Sequence, residues 1–253
     1  MYQIIEQDID QRIHLTIIDV PRIDAEVKQL IDDNLVSICE GSTESNINTV
    51  KADLIQLFDG KDLKWKMGAI AEFFMHLHIR TQGYKQEFVY RNLEEGSIKK
   101  GFDGLFSKTN SFWLMESKSG SINTNGISHA SKIKEANIDL GKKVSGIGQS
   151  NNPWRNAYNH ACNINVNTSD PIRNDLKKLR DDFVNGNFRD INDFNTIPCG
   201  TIFLNGNWHP SNSQQIIHDI DNMKIDLYGT NILVICMTQN MIDMFLDYIH
   251  LKD

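Results

Sequence analysis

Gly101-Phe102-Asp103-Gly104-Leu105-Phe106, followed by Ser111-Phe112-Trp113-Leu114-Met115-Glu116-Ser117-Lys118, is the stretch on which the fold turns. Both runs are rich in apolar and aromatic residues. Lys108-Thr109-Asn110 between them is a polar connection of the kind that joins hairpin strands. Strand alternation sets Trp113 and Met115 on one side, with Leu114, Glu116 and Lys118 on the other. Glu116 and Lys118 therefore share a face, and Ser117 points away. With Asp103 near the middle of the preceding strand and opposite them, two carboxylates and an ammonium converge at one place.

That combination suits a hard divalent cation. Mg²⁺ takes oxygen ligands in an octahedron, from one or two carboxylates plus waters and substrate phosphate, and Mn²⁺ accepts the same donors. A lysine at the rim can orient or deprotonate an attacking water and can neutralise charge that builds on phosphorus. The plainer alternative is a strand whose Glu and Lys are solvated or paired with each other. Both runs are too apolar for a freely exposed ribbon, which favours a site.

The arrangement resembles the PD-(D/E)xK nuclease superfamily, in which Asp…Glu-x-Lys sits on adjacent strands and binds the catalytic metal. Asp103, Glu116 and Lys118 fit that pattern, with Phe102 standing where a Pro often precedes the Asp. The resemblance implies an α/β fold with a restriction-endonuclease-like core, a mixed sheet with the hairpin strands at its centre, and helices on both faces.

A helix expected over about 63–82 is apolar almost all round, through Met67, Ala69, Ile70, Ala71, Phe73, Phe74, Met75, Leu77 and Ile79. Glu72 sits in its middle. A buried carboxylate is costly unless paired or metal-bound, so a salt bridge to Arg80 or Lys66 competes with a place at the metal. The resemblance favours the metal, because these nucleases often bring a Glu from the helix before the hairpin. It makes Asp103, Glu116 and Glu72 the implied metal ligands and Lys118 their catalytic companion. His76 and His78, two apart on a helix, face different ways and do not form a zinc pair.

The remaining elements are expected in this order. Residues 2–6 pair with the alternating run from Ile13 to Ile18. One helix runs from Ile23 to about Glu40 and stops at Gly41, and a second from about Asn48 to Phe58. Tyr84 to Tyr90 reads as a strand, with a turn at 94–97. After Lys118, residues 119–128 read as a loop and His129 to about Leu140 as a helix. Lys132, Lys134, Lys142 and Lys143 gather there, where they could track phosphates or form a solvated face. Gly141 to Gly148 is not a phosphate loop, because no Lys-Ser/Thr pair follows the last Gly. Pro153 suits a helix start, and Asn156, Asn159 and His160 then share a face at i, i+3, i+4, open to a phosphate contact or to plain surface exposure. A charged helix over Asp175–Phe183 follows. Thr201–Leu204 and Ile232–Met237, with a helix over about Gln214–Met223 between them, favour a parallel crossover. A helix from Gln239 to Leu251 ends the series.

Ordinary composition over 253 residues, with 40% hydrophobic and 23% charged, allows a sizeable core, and one elaborated domain is expected over 1–253. Its core would be about 63–161, with N-terminal strands and helices at 1–62 and a C-terminal α/β extension at 162–253. Cys39, Cys162, Cys199 and Cys236 are far apart and read as reduced, mostly buried thiols. A start without a basic region or long apolar run reads as no signal peptide, and the longest apolar run, Ile232 to Met237, is too short to span a bilayer. A cytoplasmic protein with no membrane contact is expected. The net charge of −7 argues against a protein that coats nucleic acid through a general basic surface, but a nuclease needs only a local positive groove.

Taken together, Gly68–Glu72, Gly101–Phe106, Trp113–Gly120 and Asn152–Ala161 resemble the nuclease subunit of Hachiman anti-phage defence systems. That resemblance implies a DNA-cleaving effector, dependent on Mg²⁺ (or Mn²⁺) and held by a helicase partner that supplies ATP hydrolysis. Two other functions stay open at the level of sequence. One is a stand-alone restriction or repair endonuclease; the other is a degenerate nuclease fold used as an interaction module.

Overall fold

The computed structural model describes residues 3–90, 101–109, 111–148 and 151–251. The expected turn at 94–97 lies outside them. β1 (Gln3–Asp8) and β2 (Ile13–Val20) pair antiparallel, as the alternation of Ile13, Leu15 and Ile17 predicts. Three helices follow: α1 (Ala25–Glu40), α2 (Ile47–Phe58) and α3 (Leu63–Thr81). Each starts at a polar cap, with Asp24, Asn46 and Asp62 accepting from the first-turn amides. Gly41 ends α1 at φ 79°, and a Cβ there would sit 2.4 Å from the Asn165 carbonyl oxygen. Only glycine meets both conditions.

The chain then enters β3 (Lys85–Gln86), β4 (Gly104–Lys108) and β5 (Ser111–Ser121). Helices α4 (His129–Ser145), α5 (Pro153–Ala161) and α6 (Asp170–Val184) lead to β6 (Asn195–Phe203). α7 (Ser213–Met223) crosses to β7 (Ile232–Gln239), and α8 (Asp243–His250) closes the series. The seven strands form one sheet in the order β1-β2-β7-β6-β5-β4-β3. β2, β7, β6 and β5 run parallel; β1 on one side and β4 and β3 on the other are antiparallel additions. The expected parallel crossover through α7 is present.

Helices cover both faces, giving an α/β fold with a mixed sheet. α1, α2, α3 and α8 pack on the face that carries Ile18, Met115, Cys199 and Ile235. The other face carries Leu114 and Val234, and α4, α5, α6 and α7 pack there. The alternation read from β5 is correct: Met115 enters one layer and Leu114 the other.

Five expectations change. The hairpin is not at the centre of the sheet: β6 is, with β5 and β7 on either side of it, and β4 lies next to the rim. Asp103 is not mid-strand but immediately before β4, although its N–H still donates to the Met115 carbonyl at 3.1 Å. The expected strand over Tyr84–Tyr90 shrinks to Lys85–Gln86. There the Tyr90 N–H and the Gln86 side chain both turn to the Ile38 carbonyl of α1, at 2.8 and 3.1 Å, rather than continuing a ladder. Finally, β5 runs on through Ser121, and α4 continues past Gly141 to Ser145, where Gly146 caps it at φ 70°. Three cysteines are buried as expected, but Cys162 is exposed. Among the described residues, no helix is long and apolar enough to cross a membrane.

Candidate active site on β4, β5 and α4

Asp103, Glu116 and Lys118 do meet. Gly104 lies opposite Met115 in the hairpin, so the residue before it falls beside Glu116. Asp103 Oδ2 accepts the Ser117 N–H at 2.8 Å, extending the β4–β5 ladder by one side-chain rung. That bond fixes the carboxylate laterally, at the strand edge rather than on either sheet face.

Glu116 is 2% exposed, so its two oxygens need partners. They have them. Lys118 Nζ lies 3.0 Å from Oε1, and Lys143 Nζ, from α4, lies 2.5 Å from Oε2. Lys118 also donates to Asp139 Oδ2 at 2.7 Å, and Lys142 stands 3.7 Å from Asp139 Oδ1. β5 and α4 thus build a chain of alternating charge, Lys143–Glu116–Lys118–Asp139–Lys142, with Asp103 a like charge beside Glu116. Its outer members, Asp139 and Lys142, are the more exposed, so the cleft opens toward α4.

The charges feel one another. Burial, then the Asp103 charge, pushes the Glu116 carboxyl up to about 7, with Lys143 and Lys118 pulling the other way. Burial alone would lower the Lys118 ammonium, but Glu116, the hydrogen bond to Asp139 and Asp103 together hold it above an ordinary lysine. Lys143 behaves alike: burial lowers it, Glu116 and Asp103 outweigh that, and the net shift is upward. Burial would raise Asp139, yet its bond to Lys118 leaves it below the usual carboxylate range.

Glu72 is buried as expected, at 4% exposure, on α3 in the opposite helix layer from α4. Its Oε1 lies 3.6 Å from His76 Nε2, neither of the two salt-bridge partners weighed from sequence. His76 Nε2–H donates to the Asp103 carbonyl at 3.1 Å. Glu72 therefore connects to the site through His76 and the Asp103 backbone. Among the described residues, no three His, Cys, Asp or Glu side chains are gathered as a metal-holding group. The donors that suit Mg²⁺ are the carboxylates of Asp103 and Glu116, whose mutual repulsion Lys118 and Lys143 offset.

Sequence reading did not single out Asp139, and it grouped Lys143 only with lysines that could track phosphates, because the helix was expected to stop near Leu140. Val144, four residues past the buried Leu140, carried the missing signal. Of the other lysines in the cluster, Lys132, half-buried against β6, pairs with Glu135 at 2.8 Å, and the exposed Lys134 with Asp226 at 3.3 Å. His160 stacks on Phe88, ring centres 5.0 Å apart, so part of the Asn156–Asn159–His160 face is packing. A crevice of about 200 Å³ at the carboxyl ends of β6 and β7, lined by His129, Ile202 and Thr238, contains none of Asp103, Glu116 or Lys118. No family model matches this sequence, and no curated protein matches it either.

Proposed function

We propose that this chain is a metal-dependent DNA nuclease with a PD-(D/E)xK, restriction-endonuclease-like core. In this reading it is the effector subunit of a bacterial anti-phage defence system and acts with a helicase/ATPase partner. One observation carries the nuclease reading: Asp103 and Glu116 lie side by side from adjacent strands, with Lys118 bonded to Glu116. The partner rests on the resemblance of the sequence motifs. Gly141 lies inside α4, so Gly141 to Gly148 forms no phosphate loop, and ATP hydrolysis in this reading belongs to the partner.

Asp103 and Glu116 would hold Mg²⁺ or Mn²⁺, with waters and substrate phosphate completing the shell. The ion would supply Lewis-acid polarisation of the phosphate and a more acidic water. The chain's own residues do the rest. The Ser117 amide holds the Asp103 carboxylate and the His76 imidazole its backbone carbonyl. Lys118, held charged by Glu116 and Asp139, is a cation and not a base. It orients the attacking water and balances charge on the pentacoordinate phosphorus as one P–O ester bond breaks and the new one forms. Glu72 belongs to this proposal as the acidic group of α3 that acts on Asp103 through His76.

The test is cleavage of plasmid and linear DNA with Mg²⁺ and with EDTA, by the chain alone and co-expressed with its helicase neighbour. Cleavage that needs the cation and disappears in Glu116→Gln and Lys118→Met is expected. Full activity in EDTA, or wild-type rates in both variants, would overturn the reading. A chain that forms no complex with that neighbour, and cuts at the same rate with it, would leave a stand-alone endonuclease.

A further inference from the structure

Glu116 has two oxygens and two ammonium partners, which is one more than the proposed chemistry requires. The two lysines differ in what else holds them. Lys118, on the same strand, is also gripped by Asp139 at 2.7 Å and stays in place if Glu116 lets go. Lys143 reaches in from α4, and among the described residues its one ion pair is with Glu116 Oε2, at 2.5 Å. A long flexible stem and a compact charge make a lysine easier to displace than a bidentate arginine.

Charge balance shows what Lys143 does there. Among the described residues, Asp103, Glu116 and Asp139 face Lys118, Lys142 and Lys143, so these six charges already sum to zero before a metal is added. A divalent cation on Asp103 and Glu116 would add two positive charges where Glu116 is 2% exposed. It would also need the Glu116 oxygen that Lys143 occupies. Both problems shrink if Lys143 leaves, and its side chain, 16% exposed at the cleft side of α4, has a path to solvent.

We propose that Lys143 is a displaceable internal counter-ion: it neutralises Glu116 in the metal-free site and is exchanged for the divalent cation, setting the concentration of cation the site requires. The inference rests on Glu116 being a metal ligand, and it assigns Lys143 a regulatory task rather than a part in bond breaking. Removing it relieves the competition. Replacing it by another cation on a long stem does not.

Mn²⁺ binding to the full chain, by calorimetry or electron paramagnetic resonance, decides. Lys143→Met is expected to bind about tenfold tighter than wild type, the order set by one charge-assisted hydrogen bond that no longer has to be broken. Lys143→Arg keeps the charge and stays within about twofold. A second measurement needs no variant: lysine ammonium resonances of the wild-type chain, followed while Mg²⁺ is added. The Lys143 signal should move toward that of a solvated ammonium, and the Lys118 signal should remain that of a paired one. A wild-type chain that binds no Mn²⁺ overturns the metal reading itself. A wild-type chain that binds it, with Lys143→Met unchanged or Lys143 unmoved by Mg²⁺, overturns only the counter-ion.

Discussion

Lowering the pH should destabilise the protein through His78, by an amount that a single substitution isolates. His78 is 0% exposed on α3, and burial pushes its imidazole down to about 4 from 6.5. The native state therefore resists the proton that the unfolded chain takes readily. Stability from this group is fully present above 6.5 and is lost as pH falls through the interval down to about 4. Between about pH 7.5 and 4.5 the loss comes to about 2.5 kcal/mol. Wild type alone would conceal it, because Glu116 has the opposite sign: its carboxyl, raised to about 7, makes the native state the better proton acceptor over nearly the same range. The informative quantity is the difference in unfolding free energy between wild type and His78→Phe, from urea titrations at several pH values. The packing cost of the substitution does not depend on pH, so the wild-type advantage should shrink by about 2.5 kcal/mol over that range. A difference constant to within about 0.5 kcal/mol would refute a neutral, desolvated His78.

Four further outcomes follow from the site and its supports. Glu116→Gln and Lys118→Met should each lower DNA cleavage by about a hundredfold or more with unchanged circular dichroism. Glu116→Ala is the harsher change, because it strands the Lys143 ammonium, and it should also lower the melting temperature. Gly200→Val should cost about 1–3 kcal/mol in urea unfolding. Even the first added carbon would meet Lys132 Cβ at 3.1 Å and the His129 carbonyl oxygen at 3.2 Å, pushing α4 off β6. Chelation with EDTA should abolish cleavage and added Mn²⁺ restore it, in assays of rate against free cation; activity that survives chelation would contradict this.

The long periodic elements were legible in the sequence, and the reasons are visible in the structure. α1 and α3 bury the residues whose spacing announced them, and β2 and β7 are apolar because both faces are covered. Asp103, Glu116 and Lys118 were legible because a hairpin fixes neighbours by local register. The approach of Lys143 to Glu116 was not: a glycine at 141 is a poor helix former, yet packing carries α4 through it. The shortness of β3 was equally hidden. Its residues alternate well enough for a strand, but the backbone from 88 to 90 is claimed by the end of α1, a partner some fifty positions earlier (Tyr90 N–H to Ile38 O, 2.8 Å). Local patterns cannot report contacts of that range.

The division of the site between a hairpin and a distant helix also sets an order of events during folding. β4 and β5 are joined by a tight connection, so Asp103, Glu116 and Lys118 can come together by closing a short loop. β6 must return over three helices to pair with β5, a far slower contact. Until α4 is pressed down between them, nothing from that layer covers Glu116, and water can solvate its charge. The helix that seals the carboxylate is the one that carries Lys143 and Asp139. The burial of Glu116 and its neutralisation by Lys143 thus depend on the same helix.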